Sequence, residues 1–106
     1  MHLVLVRMSI WCFRKGKREE AFSELDLILN SLAQRGKGFR GYMSLLSKED
    51  PNAAVVLTLW QDEESLEASE KGVFAEAVTK VKSLLDVSPR VENYRVFSTE
   101  LFQHFK

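Results

Sequence analysis

An α+β domain built on one antiparallel sheet of four strands is what this chain of 106 residues predicts. Three observations carry the prediction. In four segments apolar residues recur at every second position, as in strands with one covered face. In two others they recur at every third or fourth position, as on helices that bury one side. Along the chain these segments run β-α-β-β-α-β, the order of the split βαβ, or ferredoxin-like, plan, with both helices on one face of the sheet. The length suits a single domain over residues 1–106, large enough to bury a core without staples.

The first strand runs from about Leu3 to Phe13. One face carries Val4, Val6, Met8, Ile10 and Cys12, and the other Leu3, Leu5, Arg7, Ser9, Trp11 and Phe13. The first face is purely apolar, so it is the one expected beneath the helices. The run "RKGKR" (Arg14 to Arg18) reads as a solvated turn. It is too poor in glycine for a phosphate loop. From Lys17 to Arg35 the period becomes helical, through Ala21, Phe22, Leu25, Ile28, Leu29 and Leu32. Glu19 and Glu20 suit the first turn and Arg35 the last, given the helix dipole. Gly36 is placed for a left-handed stop.

The second strand spans Gly38 to Ser47, with Phe39, Met43 and Leu45 on one face and Arg40, Tyr42, Ser44 and Leu46 on the other. Asp50-Pro51-Asn52 makes the turn to a third strand, Ala53 to Trp60, so the two form a hairpin. In the third strand Val55, Leu57 and Leu59 read as core. Val56 and Thr58 share the face of Trp60. Asp62 is the expected cap of the second helix, which should break at Gly72. Phe74, Ala77, Val78, Val81 and Leu85 continue at helical spacing until Ser88-Pro89 stops the helix. "VENYRVFSTEL" is the last strand. Its alternation leaves the facing of Asn93 and Arg95 open.

On this assignment the uncovered face of the sheet exposes Leu5, Trp11, Tyr42, Val56 and Trp60. An apolar patch of that size implies a partner. A second copy is the expected one, because most soluble oligomers are symmetric. The expectation is a homodimer whose sheets meet face to face around a cavity.

Charge and cysteine count exclude other classes. Lys+Arg and Asp+Glu both number 15, so no net field draws the chain to nucleic acid or an anionic membrane. Lys37-Gly38-Phe39 begins like an RNA-binding strand motif, but Arg40 and Gly41 break it. The apolar N-terminus is interrupted by Arg7 and too short to span a bilayer. One cysteine, Cys12, permits no internal disulfide and argues against a thiolate metal site. It reads as a buried small hydrophobe. A cytoplasmic location is expected, with no metal.

Across its middle the chain resembles a known family. "GFRGYMSLLSKEDPNAAVVLTLWQDEESLEAS" is similar to the second half of antibiotic biosynthesis monooxygenase (ABM) domains, in the dimeric α+β barrel superfamily. The parts are Gly38-Phe39 and Gly41-Tyr42, the turn Asp50-Pro51-Asn52, Leu59-Trp60, the acidic start Asp62-Glu63-Glu64, and Val73-Phe74. The resemblance implies a homodimer and a small-molecule pocket between helices and sheet. For some members it implies cofactor-free oxygenation of quinol-like or polyketide aromatics. Other members degrade haem, and many have no assigned activity. Where members carry histidines, this chain has Ser69 and Val73. Where haem-degrading members hold Asn, Trp and His, it has Ser9, Ser69 and Val78-Thr79. Its histidines, His2 and His104, lie near the chain ends.

The candidate ligand-binding residues are Arg7, Ser9, Trp11, Tyr42, Ser44, Trp60 and Ser69. Arg7, inside an apolar strand, needs a partner and reads either as an interface ion pair or as an anchor for an anionic or enolate ligand. Ser9 and Trp11 share its face, and Tyr42 and Ser44 lie across the sheet. Trp60 reads first as packing at the sheet–helix junction and second as a flat wall for an aromatic ligand. Ser69 has no triad partners nearby. Glu63, Glu64, Glu67 and Glu70 read as a solvated helix face. No residue presents itself as the general base. The expected function is a cofactor-independent monooxygenase acting on an aromatic or quinol-like substrate. The alternative is a non-catalytic small-molecule-binding or structural homodimer.

Overall fold

The computed structural model describes residues 4–100, with the backbone alone at 33–35. Leu3, His2, His104 and the far end of the last predicted strand lie outside them. The elements are β1 (Leu5–Cys12), α1 (Arg18–Arg35), β2 (Phe39–Leu46), β3 (Ala53–Trp60), α2 (Glu63–Ser69), a π-helical turn (Glu70–Phe74), α3 (Ala75–Lys80), a 3₁₀ turn (Lys82–Leu84) and β4 (Arg90–Arg95). The sheet is fully antiparallel in the order β2-β3-β1-β4, and it is open. This is the predicted ferredoxin-like plan, with Asp62 capping α2 through its carboxylate on Ser65 N–H at 2.8 Å.

The covered face is the opposite of the one expected. Leu5, Arg7, Ser9 and Trp11 are buried beneath the helices, while Val6, Met8, Ile10 and Cys12 alternate with them on the open face, half-buried. In β3 likewise Ala54, Val56 and Trp60 are buried, and Val55, Leu57 and Leu59 lie on the open side. The patch expected to be exposed, Leu5, Trp11, Val56 and Trp60, is therefore core. Cys12 is not fully buried. The physical reason is volume. Trp11 stacks on Phe13 at 6.0 Å, and Phe13 meets Phe22 of α1 edge-on at 5.7 Å. Rings of this size bury most area where a helix layer covers them.

Two apolar clusters result. One joins Trp11, Phe13, Phe22, Leu25, Leu29, Val81 and Leu85. The other joins Leu5, Leu32, Trp60 and Leu66. Along β1, Arg7 and Ser9 stand between Leu5 and Trp11, so the gap between the clusters has a polar floor.

Local chemistry sets the rest. A bulge at Phe39/Gly41 shifts the register, so Phe39 pairs with Trp60 and turns to the helix side, away from Met43 and Leu45. Gly41, at φ 141°, supplies the backbone that bulge needs. Gly36 is not left-handed; its φ is −82°. Glycine is required there by closeness, since a Cβ would lie 2.5 Å from Leu32 Cδ1. The left-handed residue is Gly38, at φ 77°. Arg18 donates to the carbonyls of Ser47, Asp50 and Ala53 at 3.0–3.2 Å, tying the start of α1 to the hairpin turn.

Candidate functional site

A hollow opens between β1, β3, α1 and the π-helical turn. Its polar floor is Arg7, Ser9 and Thr58; Trp11 and Trp60 stand at either side. Leu25, Ile28, Leu29 and Leu32 of α1 form one wall, and Val73, Phe74 and Ala77 form another. The enclosed space is about 40 Å³, and the whole hollow with its mouth is about 460 Å³. The first figure holds a few waters. The second counts the open solvent at the mouth as well.

Arg7 is 3% exposed. Its Nη1 donates to Ser69 Oγ and its Nη2 to the Leu66 carbonyl at 3.0 Å. The Glu70 carboxylate stands 3.9 Å from Nη2, and the guanidinium carbon lies 5.6 Å from the centre of the Phe74 ring. The Arg7 Nε–H is buried with no acceptor. Burial lowers the guanidinium pKa from its ordinary value, and the Glu70 charge opposes this. Arginine keeps its charge under such shifts. The site therefore holds a buried cation whose one carboxylate partner is itself largely in solvent.

Each tryptophan orients a hydroxyl two residues earlier on its own strand. Trp11 Nε1 donates to Ser9 Oγ at 2.8 Å, and Trp60 Nε1 donates to Thr58 Oγ1 at 2.9 Å. Ser9 Oγ donates onward to the Val56 carbonyl at 3.4 Å. Trp60 packs at the sheet–helix junction, meeting Phe39 edge-on at 5.2 Å, and also stands beside the hollow.

Of the seven candidates, Arg7, Ser9, Trp11 and Trp60 come together at the hollow. Ser69 stands behind Arg7 as its hydrogen-bond partner and does not line the space. Tyr42 points its hydroxyl at Asn30 Oδ1, 2.9 Å away. Burial and nearby Asp26 raise its phenol pKa. The Ser44 hydroxyl is buried without a partner, beside Val56 in the β2–β3 register. Asn93 faces Arg7 across the β1–β4 pair, and Arg95 faces Leu5; both are exposed at this edge strand. Thr58 and Phe74 were not among the candidates. Thr58 was within reach of sequence reasoning, because it shares the face of Trp60 on β3; its place opposite Arg7 comes from the β1–β3 pairing.

Among the described residues no three His, Cys, Asp or Glu side chains gather to hold a metal ion, and no helix is long and apolar enough to cross a membrane. The hollow sets apolar and aromatic walls over a floor that carries one guanidinium and two hydroxyls. Among the described residues its lining contains no carboxylate and no imidazole.

No curated protein matches the sequence. Many solved structures share its fold, three of them as follows. One is a Nitrosomonas europaea protein provisionally named an antibiotic biosynthesis monooxygenase (TM-score 0.77, 15% identity, 89% of this chain and 90% of that one). Another is a conserved protein of Methanosarcina mazei Go1 (0.74, 19%, 87% and 91%). The third is a protein of unknown function from Nitrosomonas europaea (0.74, 21%, 93% and 94%). At these identities the likeness is one of fold alone. The family model for antibiotic biosynthesis monooxygenase matches residues 1–82. With that match across most of its length, the chain belongs to the antibiotic biosynthesis monooxygenase family.

Proposed function

We propose that the protein is a cofactor-independent monooxygenase acting on an aromatic, quinol-like substrate held in the hollow. The observation that carries this is Arg7, a buried and incompletely neutralised cation that is, among the described residues, the one ionisable side chain in a lining otherwise apolar and aromatic save for the hydroxyls of Ser9 and Thr58. Such a group bonds and stabilises the oxygen of an enolate or phenolate. An electron-rich carbanion of that kind can react with dioxygen. A ring methylene becomes a carbonyl that keeps one oxygen atom, the second oxygen leaves as water, and the substrate supplies all four electrons. The chain's own residues would position the ring and exclude water.

The protein acts, on this reading, as a homodimer in the cytoplasm. Support for the dimer comes from the open face, where Met8, Ile10, Val55, Leu57 and Leu45 line a shallow apolar depression and Leu45 is 42% exposed. At its edge Arg90, Glu92 and Tyr94 bond one another as a polar rim. An apolar centre with a polar rim fits a self-complementary interface.

An oxygen electrode tests the enzyme reading, with an anthrone as substrate and no added reductant. Protein-dependent uptake of one O₂ per carbonyl formed, lost in Arg7→Met, is the expected result. The lining without a general base favours a second reading, a non-catalytic binding protein. Saturable anthrone binding with no oxygen uptake would select it. No binding would sink both.

A further inference from the structure

Among the described residues, one run of ring contacts joins a tryptophan to a tyrosine. It begins at Trp60, which stands beside the hollow and is 2% exposed. Trp60 meets Phe39 edge-on, with ring centroids 5.2 Å apart. Phe39 stacks on Tyr42 at 6.4 Å, with 21° between the planes. Both pairs lie within the contact range of aromatic side chains, about 4.5–7 Å between centroids. The bulge at Phe39/Gly41 makes the run possible, because it pairs Phe39 with Trp60. The run ends in a phenol at the surface. Tyr42 donates to Asn30 Oδ1 at 2.9 Å, and Asn30 is exposed. The other indole is different. Trp11 meets Phe13 and Phe74, Phe13 meets Phe22, and no described tyrosine ring pairs with any of the four. The other tyrosine, Tyr94, bonds Glu92 on the open face.

We propose that Trp60, Phe39 and Tyr42 form a route by which an oxidising hole leaves the hollow for the surface. A hole at Trp60 is an indole that has lost one electron. At neutral pH a phenol gives up an electron together with its proton slightly more easily than an indole does, so the hole runs outward. Tunnelling weakens steeply with distance, and Phe39 fills the gap between donor and acceptor. Tyr42 supplies the electron to Trp60, and its phenolic proton passes to solvent beside Asn30. Burial, and then the charge of Asp26, keep that phenol protonated until it reacts.

The use of the route rests on the proposed function, whereas its existence does not. Dioxygen is a triplet and a carbanion is closed-shell, so a single electron passes first and leaves a radical pair. When such a pair parts, the carbon radical adds a second dioxygen and becomes a peroxyl radical. That radical takes one electron from Trp60 and one proton from solvent and becomes a hydroperoxide. Tyr42 then refills Trp60 and is left as a neutral tyrosyl radical. A soluble reductant of the ascorbate class returns the missing hydrogen atom at the surface. The indole beside the hollow is spared oxidation.

A laser flash absorbed by indole alone tests the route without substrate. It ejects an electron from either tryptophan, however deeply buried, and a soluble acceptor takes that electron up. In the parent, the visible absorption of the indole radical should decay as that of a tyrosyl radical grows, at a rate independent of protein concentration. Trp11→Phe and Tyr94→Phe should keep that growth. Trp60→Phe and Tyr42→Phe should each lose it, and Phe39→Ala should slow it. A parent without tyrosyl growth overturns the route, as does growth that survives Tyr42→Phe or disappears in Trp11→Phe. An unchanged rate in Phe39→Ala removes Phe39 from it. The use is read separately, by peptide mass spectrometry after incubation with an anthrone in air. Tyr42→Phe should collect oxygen on Trp60 faster than the parent does, and equal rates overturn the protective role. If the anthrone drives no oxygen uptake while the flash still moves the hole, the proposed function falls and the route stands.

Discussion

Arg7 brings a charge into a place where a hydrocarbon of similar length would fit, and its worth to stability is small. Removing it orphans little, because the Leu66 carbonyl keeps the Ser69 hydroxyl as a donor at 2.6 Å. Buried charges replaced by apolar groups of similar volume are often neutral or stabilising. Arg7→Met should therefore change the unfolding free energy by less than about 1 kcal/mol, or raise it, in urea titrations followed by circular dichroism. A loss of several kcal/mol would mark Arg7 as structural. Asp62 gives a second residue-scale prediction. Its carboxyl pKa is lowered, first by the Ser65 backbone N–H and then by the Ser65 and Gln61 side chains. A lowered folded pKa means stability that is present above the unfolded value and lost as pH falls through the folded one. Asp62→Ala should lower the melting temperature at neutral pH, and the gap from the parent should close below the ordinary carboxylate range. Both residues were visible in the sequence. For Asp62 the role was visible too, since a cap is a local matter. For Arg7 it was not, because its partners come from residues 66, 69 and 70, placed beside it only by the fold.

Elements differ in how far neighbouring residues decide them. The hairpin β2–β3 followed from its turn residues, but the facing of Phe39 did not follow from simple alternation. Gly41 was the available signal, as a glycine inside a strand pattern marks a bulge. Gly38, one residue before β2, is left-handed, and a Cβ there would fall 2.1 Å from Ser65 Oγ. Gly38→Ala should cost about 2 kcal/mol from backbone conformation and overlap together, read as a lower urea midpoint. The π-helical turn is the matching case in the second helix, where Gly72 was expected to break the period. It widens the helix beside the hollow, where such turns commonly serve a site. A Cβ on Gly72 would meet nothing within 4 Å. Gly72→Ala should stabilise by about 0.4–1 kcal/mol and slow ligand entry in stopped-flow mixing, with little change in the number of sites.

For the molecule as a whole, the chain order predicted the sheet and its connections, while the choice of covered face came out reversed. Alternation defines two faces and says nothing of which one meets the helices. A strand with Val6, Met8 and Ile10 on one side and Arg7, Ser9 and Trp11 on the other looks decided by polarity. The area buried by large rings outweighed it, with the Arg7 guanidinium bonded to Ser69 and the Leu66 carbonyl. The purely apolar side is thereby left open, which strengthens the case for a second copy upon it. Leu57→Asp, at the middle of that face, should yield a monomer by light scattering while the helix-side core stays folded. A parent protein already monomeric at micromolar concentration would end the dimer proposal. Both tryptophans of the chain flank the hollow. The protein's whole indole emission therefore originates beside the hollow. It carries an intrinsic optical reporter there, with no silent tryptophan elsewhere to dilute the signal. An aromatic occupant should quench most of that light as it binds.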